Sequence, residues 1–205
     1  GFCMPEDTLP KLLKKNAEKY GDHKIAMRVK DRGIWKGFTW RDYYEKVKYF
    51  SLGLVSLGIK RGDKVSILGE NKPEIYWSEI AVQAAGGTAV GIYPDCTPSE
   101  IKFFVTDSDS VFVVGHNQEQ VDKLLQIKED LPKVKKVIYW DPKGLWNYDD
   151  SILISFPDVI QLGQSYEKNH PGEELISVVD SKHIIKAAFQ CLTKIDASRA
   201  VRIRM

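Results

Sequence analysis

A doubly wound α/β fold, with a mainly parallel sheet and helices on both faces, is predicted by three features of this 205-residue sequence. Short apolar runs without polar alternation occur at 65–68, 88–92, 111–114 and 134–140. Strands of that kind are buried on both faces, which is the situation in a parallel sheet. The runs alternate with segments whose apolar residues recur at helical spacing. Capping residues, first-turn prolines and glycine stops stand at the joints, so strand and helix alternate and the crossovers are right-handed.

Asp7-Thr8-Leu9-Pro10 opens the first helix, with Thr8 as cap and the proline near the first turn. Leu9, Leu12, Leu13, Ala17 and Tyr20 fall on one face, and Gly21 is the stop. Turn residues at 30–33 separate β-branched and aromatic runs at 24–29 and 34–38, which predicts a hairpin. Thr39 and Asp42 form a capping-box pair for a helix whose stripe is Tyr43, Val47, Phe50, Leu54 and Leu57, ended by Gly58. Asn71 and Glu74 are expected to cap the next helix, with Tyr76, Trp77, Ile80, Ala81 and Ala84 inward and Gly86-Gly87 as its close. Thr97, Pro98 and Glu100 combine cap, first-turn proline and capping-box acid ahead of Ile101, Phe104 and Val105.

Val121, Leu124, Leu125 and Leu131 mark a further helix. Beyond Trp140 come turn residues at 141–144 and 147–150, an apolar run at 152–156 and a helix at 157–169 ended by Pro171-Gly172. The last stretch gathers Lys182, Lys186, Lys194, Arg199, Arg202 and Arg204 against Asp196. The expected organisation is an N-terminal helix and β-hairpin at 1–38, an α/β parallel-sheet subdomain at 39–140, a connecting segment at 141–180 and a divergent basic tail at 181–205.

Thirty basic residues against twenty-eight acidic ones give a formal charge of +2, without the basic excess of a phosphate-backbone binder, so nucleic acid is not an expected partner. Cys3, Cys96 and Cys191 lie far apart, with no CxxC pair and no histidine at zinc spacing; neither a metal nor a disulfide framework is indicated. The most apolar stretch, 80–93, is interrupted by Gln83, Gly86, Gly87, Thr88 and Gly91 and falls short of the roughly 20 apolar residues of a membrane span. Gly1-Phe2-Cys3-Met4 lacks the regions of a secretory signal, and without an initiator Met the natural start is expected upstream.

Neither GxxxxGK[ST] nor GxGxxG occurs, and Gly86-Gly87 follows a helix where a phosphate loop needs a strand before it, so the pair reads as a helix stop. In a parallel sheet ligands gather beyond the C-terminal strand ends, which places Glu70-Asn71, Tyr93-Pro94-Asp95 and His116-Asn117 on one rim. Asn71, Tyr93, Asp95 and His116 are the substrate-rim candidates; Asn71 reads first as a helix cap, and His116 has no partner in sequence to make it an acid or base. Asp149-Asp150 lacks a third ligand at useful spacing and reads as a solvated turn, and the five tryptophans read as core and interface aromatics.

The segment FTWRDYYEKVKYFSLGLVSLGIKRGDKVSILGENKPEIYWSEIAVQAAGGTAVGIYP, residues 38–94, resembles the start of the acyl-adenylate-forming ligases. Gly91-Ile92-Tyr93-Pro94, with the later KGLWNYDDSILISFPDVIQLGQSYEKNHP, is more similar to the long-chain fatty acid–CoA ligases than to the acetate or aminoacyl-adenylating branches. The resemblance covers residues 5–180, about the first third of a full-length member. It implies fatty acid, ATP, Mg²⁺ and coenzyme A for the full-length enzyme, an acyl-adenylate intermediate and release of pyrophosphate. In that family the chemistry rests on a Thr/Ser/Gly-rich loop ending in Pro-Lys-Gly, an aromatic-Gly-Thr-Glu segment, an adenosine-binding Asp and a lid lysine. Where the loop should follow residues 173–180, the chain continues as Ser181-Lys182-His183-Ile184, so no catalytic, cofactor-binding or metal residue carries over.

The expectation is therefore the N-terminal part of a ligase, from a truncated or frame-disrupted gene, inactive alone, cytoplasmic and peripheral to membranes through the fatty acid substrate. The rival expectation is a non-catalytic module that holds an acyl or coenzyme A group, self-associates or pairs with a full-length ligase. A small-molecule binder of flavodoxin-like shape rests on fold analogy alone.

Overall fold

The computed structural model describes residues 8–171. Cys3, Cys191, Gly172 and the stretches 173–180 and 181–205 lie outside the described residues. Helix α1 runs Leu9–Tyr20, and strands β1 (Ile25–Asp31) and β2 (Ile34–Thr39) form an antiparallel hairpin. There follow α2 (Trp40–Ser56), β3 (Lys64–Leu68), α3 (Pro73–Ala84), β4 (Thr88–Ile92), α4 (Pro98–Asp107), β5 (Ser110–Gly115) and α5 (Gln118–Gln126). A 3₁₀ turn at Lys128–Asp130 leads to β6 (Lys136–Tyr139), β7 (Leu153–Ser155) and α6 (Phe156–Asn169).

The main sheet has five strands in the order β4-β3-β5-β6-β7, all parallel. Its pleat sends successive side chains to opposite faces. Val65, Ile67, Phe112, Val114 and Ile138 meet Leu13 of α1, Val47, Phe50 and Leu54 of α2, Trp77 and Ala81 of α3 and Val159 of α6. Leu68, Ile92, Val113 and Val137 meet Ile101 and Val105 of α4 and Leu124 of α5 on the other face. This is the predicted doubly wound layer. Phe50, Leu54, Ile101, Phe112 and Ile138 are all 0% exposed, and each such side chain stabilises the fold by roughly 1.5–3 kcal/mol relative to exposure.

Local signals place the helix starts. Thr39 accepts from the Asp42 amide while the Asp42 carboxylate accepts from the Thr39 amide, and Thr97 and Glu100 repeat the arrangement. Asn117 caps α5 by accepting from the Gln120 amide. The α3 start departs from expectation. Pro73 occupies its first turn, which moves the cap position to Lys72, and Asn71 instead accepts from the Tyr76 hydroxyl at 2.7 Å. Tyr76 points outward, 43% exposed.

In α1 the expected stripe is only partly buried. Leu13 is covered by α2 and α3, whereas Leu9 and Leu12 are 51% and 43% exposed. The segment expected to connect, 141–180, supplies the fifth strand and α6. Helix α6 lies against α2 where Gly53 and Gly163 allow the two backbones to touch, Phe50 stacks on Phe156 with centroids 4.1 Å apart, and Lys48 pairs with Glu167.

Candidate functional site

The chain leaves β3 through α3 on one face of the sheet and leaves β5 through α5 on the other. Between two neighbouring parallel strands with opposite exits a crevice opens beyond their C-terminal ends, the position where open α/β sheets bind ligands. Gly69 follows β3, His116 follows β5 and Trp140 follows β6, and all three meet there. A Cβ on Gly69 would come 2.6 Å from Trp140 Cη2 and 2.8 Å from His116 Cβ, so only glycine lets the indole lie across the strand end. The His116 and Trp140 rings stack at 5.0 Å and 19°. The Trp140 amide donates to the Gly115 carbonyl and the Asp141 amide to the His116 carbonyl, at 3.3 and 2.8 Å, continuing the ladder past the strands.

His116 is 8% exposed, and burial holds its pKa below the usual histidine value, against the opposing pull of Glu70 and Asp141. A neutral imidazole at pH 7 follows. Glu74, in the first turn of α3, is pushed the other way: burial raises its carboxyl pKa against its own backbone hydrogen bond, Lys72 and Lys46, and Asp141 adds to the rise. Trp140 and Glu74 separate two hollows. One, of about 260 Å³, has Lys36, Phe38, Lys72, His116 and Asp141 on its walls. The other, of about 290 Å³, is lined by Lys46, Trp77, Phe156 and Gln161.

Of the rim candidates, His116 stands in the crevice wall and Asn71 just outside it, tied to Tyr76. Tyr93, 83% exposed, and the exposed Asp95 lie past the end of the edge strand β4, on the loop whose Pro94 carbonyl accepts from Gln120 and Lys123. Gly69, Glu74, Trp140 and Asp141 were not among the expected rim residues. A glycine directly after a strand and a tryptophan directly after another are the only signals in sequence, and neither shows that the two touch.

The described residues do not fit a triphosphate. The crevice sets Asp31, Glu74 and Asp141 beside Lys30, Lys36 and Lys72, so its cations are matched by carboxylates. The amides of Gly86 and Gly87 are engaged at the end of α3, donating to Gln83 and Val82. Pro142-Lys143-Gly144 carries the closing tripeptide of a Ser/Thr/Gly loop, yet it follows Tyr139-Trp140-Asp141 at the end of β6. Asp150 accepts from Lys128 and from the Ile152 amide, which lower its pKa, and among the described residues no three of His, Cys, Asp and Glu are grouped to hold a metal ion. Among the described residues no helix is long and apolar enough to cross a membrane.

Known proteins share this fold. The family model for AMP-binding enzymes matches residues 13–173. The acetoacetyl-CoA synthetase of Streptomyces lividans superposes with a TM-score of 0.66 at 18% identity, over 74% of this chain and 24% of that one, which is a likeness of fold. The chain belongs to the AMP-binding enzyme family. Its curated relatives are long-chain-fatty-acid–CoA ligases: it is 28% identical to ACSBG2 of Xenopus laevis over 87% of this chain and 23% of that protein, and 29% identical to ACSBG1 of Mus musculus over 88% and 24%. The chain thus spans about a quarter of the length of these relatives, less than the third expected.

Proposed function

We propose that these residues are the first α/β layer of an enzyme that activates a long-chain fatty acid through acyl-AMP to acyl-CoA, and that this chain does not catalyse the reaction alone. The similarity to long-chain-fatty-acid–CoA ligases across 87% of the chain carries the reading. ATP, Mg²⁺ and coenzyme A belong to the whole enzyme under this reading. Adenylyl transfer needs backbone N–H groups and cations converging on the phosphates. The described residues offer a crevice of mixed charge instead, which supports inactivity of the chain by itself.

Two measurements test the two halves. Grafting residues 8–171 in place of the matching part of a full-length relative should preserve palmitate-dependent pyrophosphate release, and an inactive but folded chimera would overturn the ligase reading. The purified chain, given ATP, Mg²⁺, palmitate and coenzyme A, should release no pyrophosphate; turnover would overturn the claim of inactivity.

A second reading, an assembly module that self-associates or pairs with a full-length ligase, is favoured by Trp146, 78% exposed, and by Leu9 and Leu12 in α1. Light scattering of the purified chain, alone and mixed with a full-length ligase, decides it: a monodisperse monomer in both cases removes this reading.

A further inference from the structure

We propose that the outer face of the β1–β2 hairpin docks onto an anionic lipid surface. The hairpin register pairs Arg28 with Gly37 and Lys30 with Trp35. Directly paired residues share a face of the ribbon, so Arg28, Lys30 and Trp35 stand together. Ile25 joins them, because its Cδ1 lies 3.1 Å from where a Gly37 Cβ would be. The other face carries Met27 and Phe38 onto the core and holds the hairpin's one carboxylate, Asp31, tied to Lys36 at 2.6 Å.

By this register the outer face carries Arg28 and Lys30 and no carboxylate of the hairpin, yet its large apolar groups are left uncovered: Trp35 is 65% exposed and Ile25 41%. Arg32 turns the tip at φ 48. A bilayer interface satisfies both halves of this surface. Tryptophan settles at headgroup depth with its ring in the acyl boundary, and lysine and arginine are drawn to anionic headgroups. The Lys30 ammonium stands 6.0 Å from the Trp35 ring centroid, so cation and ring enter together. The carboxylate beside this face, Asp22 against Thr39, is paired with Arg41, so Arg28 and Lys30 leave it net basic. Docking of this face requires none of the ligase chemistry.

The test is flotation of the full chain with phosphatidylcholine vesicles, with and without phosphatidylserine. Binding is expected only with phosphatidylserine and should weaken as salt is added. Trp35→Ala should lower partitioning about tenfold and Lys30→Gln about fivefold. Both side chains are exposed, so circular dichroism and the thermal midpoint should not move. Absence of vesicle binding overturns the proposal. So does equal binding by both variants, which would assign the attraction to the basic stretch from Ser181. Variants that instead lose a self-associated species or an acidic protein partner, with no vesicle binding, overturn it as well.

Discussion

Gly163 meets Gly53 backbone to backbone where α6 crosses α2: a Cβ on Gly163 would stand 2.9 Å from the Gly53 amide nitrogen and would overlap the Tyr49 carbonyl oxygen. A Cβ on Gly53 would in turn overlap the Val159 carbonyl. Main chain cannot rotate aside as a side chain can, so the helices must separate. Gly163→Ala and Gly53→Ala should each destabilise the protein by about 3 kcal/mol or more, read from the urea midpoint. Gly58, at φ +83 with nothing within 4 Å, is the control and should cost about 1 kcal/mol as alanine.

The buried hydroxyls of Ser66 and Ser110, 0% and 1% exposed, bond at 2.8 Å, and Ser110 bonds also to Ser108 at 2.8 Å. Removing Ser66 leaves Ser110 a partner. Removing Ser110 strips one bond from each of the others. Ser110→Ala should therefore cost about 1–3 kcal/mol and Ser66→Ala about 1, with Ser66→Ala adding little once Ser110 is alanine. Equal single effects that simply add would contradict the network.

His116 makes stability depend on acid. Its folded-state pKa lies below the ordinary 6.5, so the unfolded chain takes up the proton first. Stability is complete above that value and falls as pH drops below it. Urea midpoints should decline below pH 6.5 in the native protein, while His116→Phe, which keeps a ring against Trp140, should give a flatter profile over that range.

Glu74 carries the opposite sign. Its folded pKa is raised above the ordinary 4.5, so the folded state holds the proton more tightly and stability is lost as pH rises from 4.5 through the folded value. Glu74→Gln removes the loss: its thermal midpoint at pH 7 should exceed that of the native protein, and the gain should vanish below pH 4.5. A gain that persists in acid would place the cause in packing.

Much of the fold was legible because its signals are local. Thr39 with Asp42 and Thr97 with Glu100 place two helix starts within four residues of chain, and Val47, Phe50 and Leu54 recur at the helical period that buries them. Asn71 failed as a cap because Pro73 competes for the same turn at closer range. Leu9 and Leu12 carry the same spacing as Leu13, and only the docking of α1 on α2 and α3 decides which of them is covered. Of the crevice, the strand-end position of His116 was legible; the wall formed by Gly69, Glu74 and Trp140 was not.

By itself the sequence determined the alternation of strands and helices, the two helix starts written as capping boxes, that the main strands are parallel, and which family the chain resembles, since each follows from residues near one another or from runs compared directly. Only the tertiary structure decided that β3 and β5 lie side by side with opposite exits, that Trp140 covers Gly69 and His116, that Glu74 is pressed into a half-dry site, and that Trp35 faces away from the core. Those are contacts between residues tens of positions apart. They are set by which faces the packed layers leave over once burial has been satisfied, and no local pattern encodes that remainder.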